Sequence, residues 1–117
     1  MKKIYIAGKI SGECETPELM EKCYKKFVSY ISKIAFEQNG VPWNYFHGLD
    51  INRDLIQSGK GDYIQYMKND LTVLMTCDEV HFLPDWIDSR GAKMERILAE
   101  FLGMVIVDAK QPDAPII

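Results

Sequence analysis

Two carboxylates sit on helix faces that are otherwise apolar. In the segment running from Ser89 to Leu102, helical spacing puts Gly91, Glu95, Leu98 and Leu102 on one stripe, with Glu95 its only charged member. From Tyr63 to Met75, the same spacing lines up Tyr63, Met67, Asp70 and Leu74, and Asp70 is again the lone acid. An ionised carboxylate is costly to bury unless something pairs with it or uses it. A single such Glu is equally compatible with a place at the edge of the stripe, reaching solvent or Arg96. Two helices with one inward acid each suggest two carboxylates meeting at one place. Paired carboxylates are the usual equipment for cleaving a glycosidic bond, one as nucleophile or base and the other as acid.

The elements that must hold these acids alternate along the chain. Lys3 to Ala7 is a short apolar run closed by Gly8 and reads as a buried strand. A long helical pattern follows from Pro17 to about Gln38, with Thr16 as N-cap, Pro17 in the first turn and Asn39-Gly40 as the stop. Val41 to Phe46 reads as a second strand, Glu79 to Leu83 as a third and Met104 to Val107 as a fourth. Residues 47–61 are polar, glycine-rich and weakly periodic, and read as a long loop with at most one helical turn. Asn44, His47, Asp50, Asn52 and Arg53 in or beside that loop are candidates for reading a base, and each is also an ordinary loop residue. Strand–helix alternation predicts an α/β fold, a three-layer sandwich with a mostly parallel sheet of four to five strands, flavodoxin- or Rossmann-like. Ligands in such folds bind beyond the carboxyl ends of the strands.

The whole sequence narrows the function classes. At 117 residues with 47% hydrophobic content the chain has the size and core of one domain, over 1–109, with a tail at 110–117. A net charge of −3 argues against binding a nucleic-acid polymer. Cys14, Cys23 and Cys77 lack metal-ligand spacing and read as reduced thiols. No run approaches the ~20 apolar residues of a membrane span. A cytoplasmic protein without membrane attachment is expected.

The strand ends supply further chemistry. Gly8, Lys9, Ser11 and Gly12 follow the first strand and offer backbone N–H groups, a charge and a hydroxyl to a phosphate. The segment is neither the dinucleotide fingerprint nor the Walker pattern, and a plain tight turn fits it equally well. Ser89, Arg90 and Gly91 open the Glu95 helix, where free N–H groups and the dipole favour an anion. Ser89 also suits a simple capping role, and the two uses are compatible.

Together these segments resemble the nucleoside 2-deoxyribosyltransferase superfamily, which includes the 2′-deoxynucleoside 5′-phosphate N-hydrolases. That family opens with a strand bearing a Tyr, then Gly and a short polar loop, as in Tyr5-Ile6-Ala7-Gly8-Lys9-Ile10-Ser11-Gly12. A helix bearing an Asp follows and ends before an Asp-hydrophobic strand, here Asp70 and then Cys77-Asp78-Glu79-Val80-His81-Phe82-Leu83. Its nucleophilic Glu has Gly four residues and Ser or Asp six residues before it, the places of Gly91 and Ser89 relative to Glu95. The likeness is greatest to a bacterial and phage-borne branch with the pattern Leu-Pro-x-Trp-x-x-Ser-Arg-Gly-Ala-x-x-Glu, met here from Leu83 to Glu95. It spans roughly residues 3–107. Lys9 stands where the hydrolases have a small hydroxyl residue and Ser11 where they have Arg. The stretch from Trp86 to Arg90 also differs from both characterised enzyme groups.

The resemblance implies a mechanism and a site. Glu95 would attack the anomeric carbon of a deoxynucleoside or deoxynucleoside monophosphate from the face opposite the base. The glycosyl-enzyme so formed is that of retaining glycosidases, whose carboxyls lie about 5 Å apart. Asp70 would assist the leaving base or orient the sugar, and Tyr5 would hold Glu95 by a hydrogen bond. Gly8, Lys9, Ser11, Ser89, Arg90 and Gly91 would bind substrate. Ser89 in place of an acid favours a 5′-phosphate over a free nucleoside. Water then gives hydrolysis, and a second base gives transfer. No metal and no organic cofactor is implied, and a homo-oligomer is, a neighbour's loop completing the pocket. The alternative is a nucleotide-binding or sensing module that keeps the pocket without turnover.

Overall fold

The five residues Lys3–Ala7 form the first strand, β1, at the middle of the sheet, in a computed structural model that describes residues 2–10, 16–37 and 43–110. Pleating sends alternate side chains to opposite faces, so β1 feeds two cores. Ile4 and Ile6 join one, and Tyr5 and Ala7 the other. A strand buried on both faces reads as a continuous apolar run, which is why Lys3–Ala7 carried a clear signal.

The sheet has four strands, all parallel, in the order β2-β1-β3-β4. β2 is Asn44–Phe46, β3 is Glu79–Phe82 and β4 is Val105–Asp108. Tyr5 aligns with Val80 across the β1–β3 pairing. The helix α1, Pro17–Glu37, packs Cys23, Phe27 and Ile34 onto the Ile4–Ile6 face. Thr16 starts it, its Oγ1 accepting from the Leu19 N–H at 3.1 Å. The opposite face is covered by Tyr63–Leu74, numbered α4, and Arg90–Phe101, numbered α5. Helices on both faces of a parallel sheet make the three-layer, flavodoxin-like sandwich that the alternation predicts. Among the described residues no helix is long and apolar enough to cross a membrane.

Residues 47–61 differ from the expected loop. They carry two short helices, α2 at Gly48–Ile51 and α3 at Arg53–Ser58. Four and six residues are too few for a helix to persist alone, so periodicity could not show them. Tertiary burial of His47, Gly48, Leu49 and Asn52 holds them instead. His47 stacks on Phe27 with ring centroids 4.7 Å apart and accepts from the Asp50 N–H at the start of α2. The expected loop at 84–89 is mostly a 3-10 turn, Pro84–Asp88, with Pro84 in its first turn. β4 runs one residue later than expected, and β3 ends one residue earlier. Of the expected second strand, residues 43–46 are described, and the strand begins at Asn44, one residue after Trp43; residues 41–42, and the stop at Asn39-Gly40, lie outside the described residues, as does the tail from 111.

Candidate active site

Tyr5, Asp70 and Glu95 come from three different elements and meet on the α4–α5 side of the sheet. Tyr5 is 1% exposed, Asp70 6% and Glu95 5%. α4 begins where Asp62 accepts from the Gln65 N–H at 2.8 Å, and its inner face delivers Asp70 and Leu74 to the interior. α5 begins where the Ser89 hydroxyl oxygen accepts from the Ala92 N–H at 3.1 Å. Its buried residues are Gly91, Ala92, Glu95 and Ala99. The expected stripe is thus rotated slightly: Leu98 is half-buried against the core, and Leu102 lies past the helix end, 47% exposed.

Small residues let the helices close on the acids. A Cβ at Gly91 would lie 3.0 Å from Met67 Sδ and 3.4 Å from the Tyr63 hydroxyl. A Cβ at Gly48 would come within 2.8 Å of Ile10 Cδ1 and 3.2 Å of Asp70 Oδ2. Asp70 and Glu95 both open onto one cavity of about 430 Å³. Gly8, Ser89 and Gly91 also line it, as do Asn52, Tyr63 and Tyr66. The cavity sits against the residues that follow β1 and β3, where the chain order reverses, the usual ligand position in such sheets.

The electrostatics are those of two buried acids beside one cavity. Burial, with the charge of Asp70 added, pushes the Glu95 carboxyl up to about 8, against the pull of a hydrogen bond with Tyr5. Burial raises Asp70 to about 6, and a hydrogen bond from Asn52 opposes it. Tyr5 is held well above the usual phenol range by burial and by both carboxylates. Around neutral pH these environments favour one proton on the pair, with the charge drawn to Asp70 by the Asn52 hydrogen bond. Among the described residues Glu95 Oε2 has no hydrogen-bond partner. Arg96 does not neutralise Glu95, for it pairs with Glu100 at 3.2 Å and Asp108 at 2.5 Å.

The remaining expected site residues are dispersed. The Lys9 N–H donates to Asp85 Oδ1 at 3.0 Å, and its carbonyl accepts from Lys26 Nζ at 2.7 Å. The Arg90 guanidinium lies over the Tyr63 ring at 5.3 Å. Neither Lys9 nor Arg90 belongs to the described lining of the cavity. Ser11 lies outside the described residues. Of the polar residues in the 44–53 stretch, Asn52 alone reaches the cavity wall. Asp50 and Arg53 pair with each other at 2.6 Å. The sequence offered Asn52 as one of five candidates for reading a base, with nothing to set it apart from the other four or to tie it to Asp70. The Leu83–Glu95 motif divides: Asp85 ties the end of β1 to α1, bonding the Lys9 N–H and Lys26, while Ser89, Gly91 and Glu95 line the cavity. Among the described residues no cluster of three or more His, Cys, Asp or Glu side chains is placed to hold a metal.

Residues 2–108 match the family described as Domain of unknown function (DUF4406). The chain belongs to this family. No curated protein matches it. The matched range takes in the candidate site of this chain, from Tyr5 on β1 to Glu95 on α5.

Proposed function

We propose that this DUF4406 chain cleaves or transfers an N-glycosidic bond of a deoxynucleoside or deoxynucleotide, with Glu95 as nucleophile. The observation that carries the reading is the pair of buried carboxyls on one cavity, with Glu95 Oε2 unpartnered. A buried polar atom without a partner is uncommon, and a site awaiting a ligand is one accepted reason for it. The resemblance of Tyr5–Gly8, Asp70 and Ser89–Glu95 to the nucleoside 2-deoxyribosyltransferase superfamily supports the same roles.

In the proposed reaction a ligand displaces water from the cavity and Glu95 passes its proton to Asp70. The Glu95 carboxylate forms a bond to the anomeric carbon as the bond from that carbon to the base nitrogen breaks. The base leaves with the electron pair and takes the proton from Asp70. Tyr5 holds the attacking carboxyl in place. Water, or a second base, then breaks the glycosyl ester and restores Glu95. The cavity walls, with Tyr63, Tyr66 and Met67, offer aromatic and thioether surface to a base.

A binding module without turnover is favoured by the burial of Glu95: burial pushes its carboxyl up to about 8, and a protonated carboxyl is a poor nucleophile until something takes its proton. Incubation with deoxynucleosides and their monophosphates, followed by chromatography for free base, separates the readings. Base release supports the enzyme. Thermal stabilisation by the same compounds without base release supports the binding module.

A further inference from the structure

The two acids of the cavity are not held alike, and the difference traces to Asn52. This residue sits between α2 and α3, 4% exposed, and lines the cavity. Its Nδ2 donates to Asp70 Oδ1 at 2.7 Å and to the Gly48 carbonyl at 3.1 Å. Its Oδ1 accepts from Asn69 Nδ2 at 2.9 Å. A backbone carbonyl only accepts, so the Gly48 contact fixes which end of the amide faces Asp70. Both N–H bonds of Asn52 are thus committed, and Asp70 Oδ1 is committed as an acceptor. Among the described residues no side-chain amide hydrogen-bonds to Glu95, and its Oε2 is unpartnered.

We propose that Asn52 is a positioning residue that reserves Asp70 Oδ1 as an acceptor, so that the proton shared by the two acids rests on Glu95 in the empty cavity and can be taken up by Asp70 only at Oδ2. This deepens the glycosidic reading and rests on it for the use of the proton, though the placement of the proton stands without turnover. The consequence is a site that is inert when empty. The nucleophile is unmasked only when a ligand makes transfer to Oδ2 favourable, and Oδ2 then holds the proton that the leaving base requires. The titratable surroundings are consistent with this assignment. Tyr5 faces the pair from β1, Asp70 and Glu95 face each other from α4 and α5, and Asp62, Tyr63 and Tyr66 line the cavity. Arg90 stacks on Tyr63, and no lysine or histidine is part of the described lining.

The test is a carboxyl-carbon NMR titration of Asp70 and Glu95 in the full chain, beside Asn52→Ala and Asn69→Ala. Losing a hydrogen bond to a charged group is worth enough to change an ionisation constant about tenfold or more. Asn52→Ala should therefore make Asp70 a roughly tenfold weaker acid and Glu95 a stronger one. Asn69→Ala, at an exposed residue, should move both in the same directions by less, and it keeps the test intact if Asn52→Ala does not fold. A purely structural Asn52 predicts unchanged titrations in the folded variants, and that result overturns the proposal. If the titrations move but the wild type releases no base, the placement of the proton stands and the enzymatic reading falls. If base is released and the titrations do not move, only the role of Asn52 falls.

Discussion

Glu95 is the residue on which the chemistry turns, and its substitution separates two accounts. Gln has nearly the shape of Glu but is a far poorer nucleophile. Glu95→Gln should lower base release by about three orders of magnitude or more while leaving ligand binding in place. A purely structural Glu95 would normally be paired, and breaking a buried pair destabilises strongly. Here Arg96 is engaged elsewhere, so a stable Glu95→Gln protein is expected. Steady-state kinetics and a melting curve on the same variant check both halves; turnover equal to the wild type would remove Glu95 from the mechanism. Asp70→Asn should slow base release from natural nucleosides and from substrates with a good leaving group alike, because Glu95 then has no carboxylate to take the proton that masks it. Comparing a nitrophenyl-type glycoside with a natural nucleoside checks this: an activated substrate that is spared would leave Asp70 only a role toward the leaving base. At this scale the sequence was informative where an acid interrupted an apolar face, as at Asp70 and Glu95. It could not single out Asn52 from the other candidates of its loop, because a buried amide in a polar segment leaves no break in any pattern.

Packing between α4 and α5 sets the shape of the cavity. Gly91 faces Met67 and Tyr63 so closely that an added methyl must displace one of them. Alanine is the better helix former by up to about 1 kcal/mol, and the Met67 side chain can give way. Gly91→Ala should therefore leave the melting temperature within a few degrees of the wild type, yet weaken ligand binding by constricting the cavity. Calorimetry of ligand binding beside a thermal melt measures both. Ser89→Ala removes the cap of α5 and should cost about 1 kcal/mol, whether or not a ligand is present. The legibility of elements follows their length and burial. β1, α1, α4 and α5 were readable because each repeats its pattern over enough residues or is buried on both sides. α2 and α3 were not readable, since they exist by packing rather than by local preference. The consequence for function is direct: the unreadable pair is the one that carries Asn52 to Asp70.

For the molecule as a whole, the buried acids tie stability to pH. An unfolded chain releases the Glu95 proton near 4.5, whereas the folded chain keeps it until about 8. Asp70 behaves likewise between 3.8 and about 6. Across these windows the folded state binds more protons than the unfolded state, so stability must fall as pH rises. The contribution is fully present below pH ~4 and is lost progressively up to about 8. For Glu95 alone the loss is on the order of 3 kcal/mol by pH 7. Pairs such as Arg96–Asp108 act in the opposite sense only at lower pH, since the Arg96 hydrogen bonds hold the Asp108 carboxyl below its usual range. The chain should therefore melt highest in mildly acidic buffer and lose several degrees between pH 5 and 8. Glu95→Gln should flatten that slope, because Gln has no proton to release, and should raise stability at pH 8 relative to the wild type. A series of thermal melts from pH 4.5 to 8.5 on both proteins provides the measurement. Parallel curves for the two proteins would show that Glu95 ionises in the folded state as it does in water, and with that the buried, proton-sharing site would lose its physical basis.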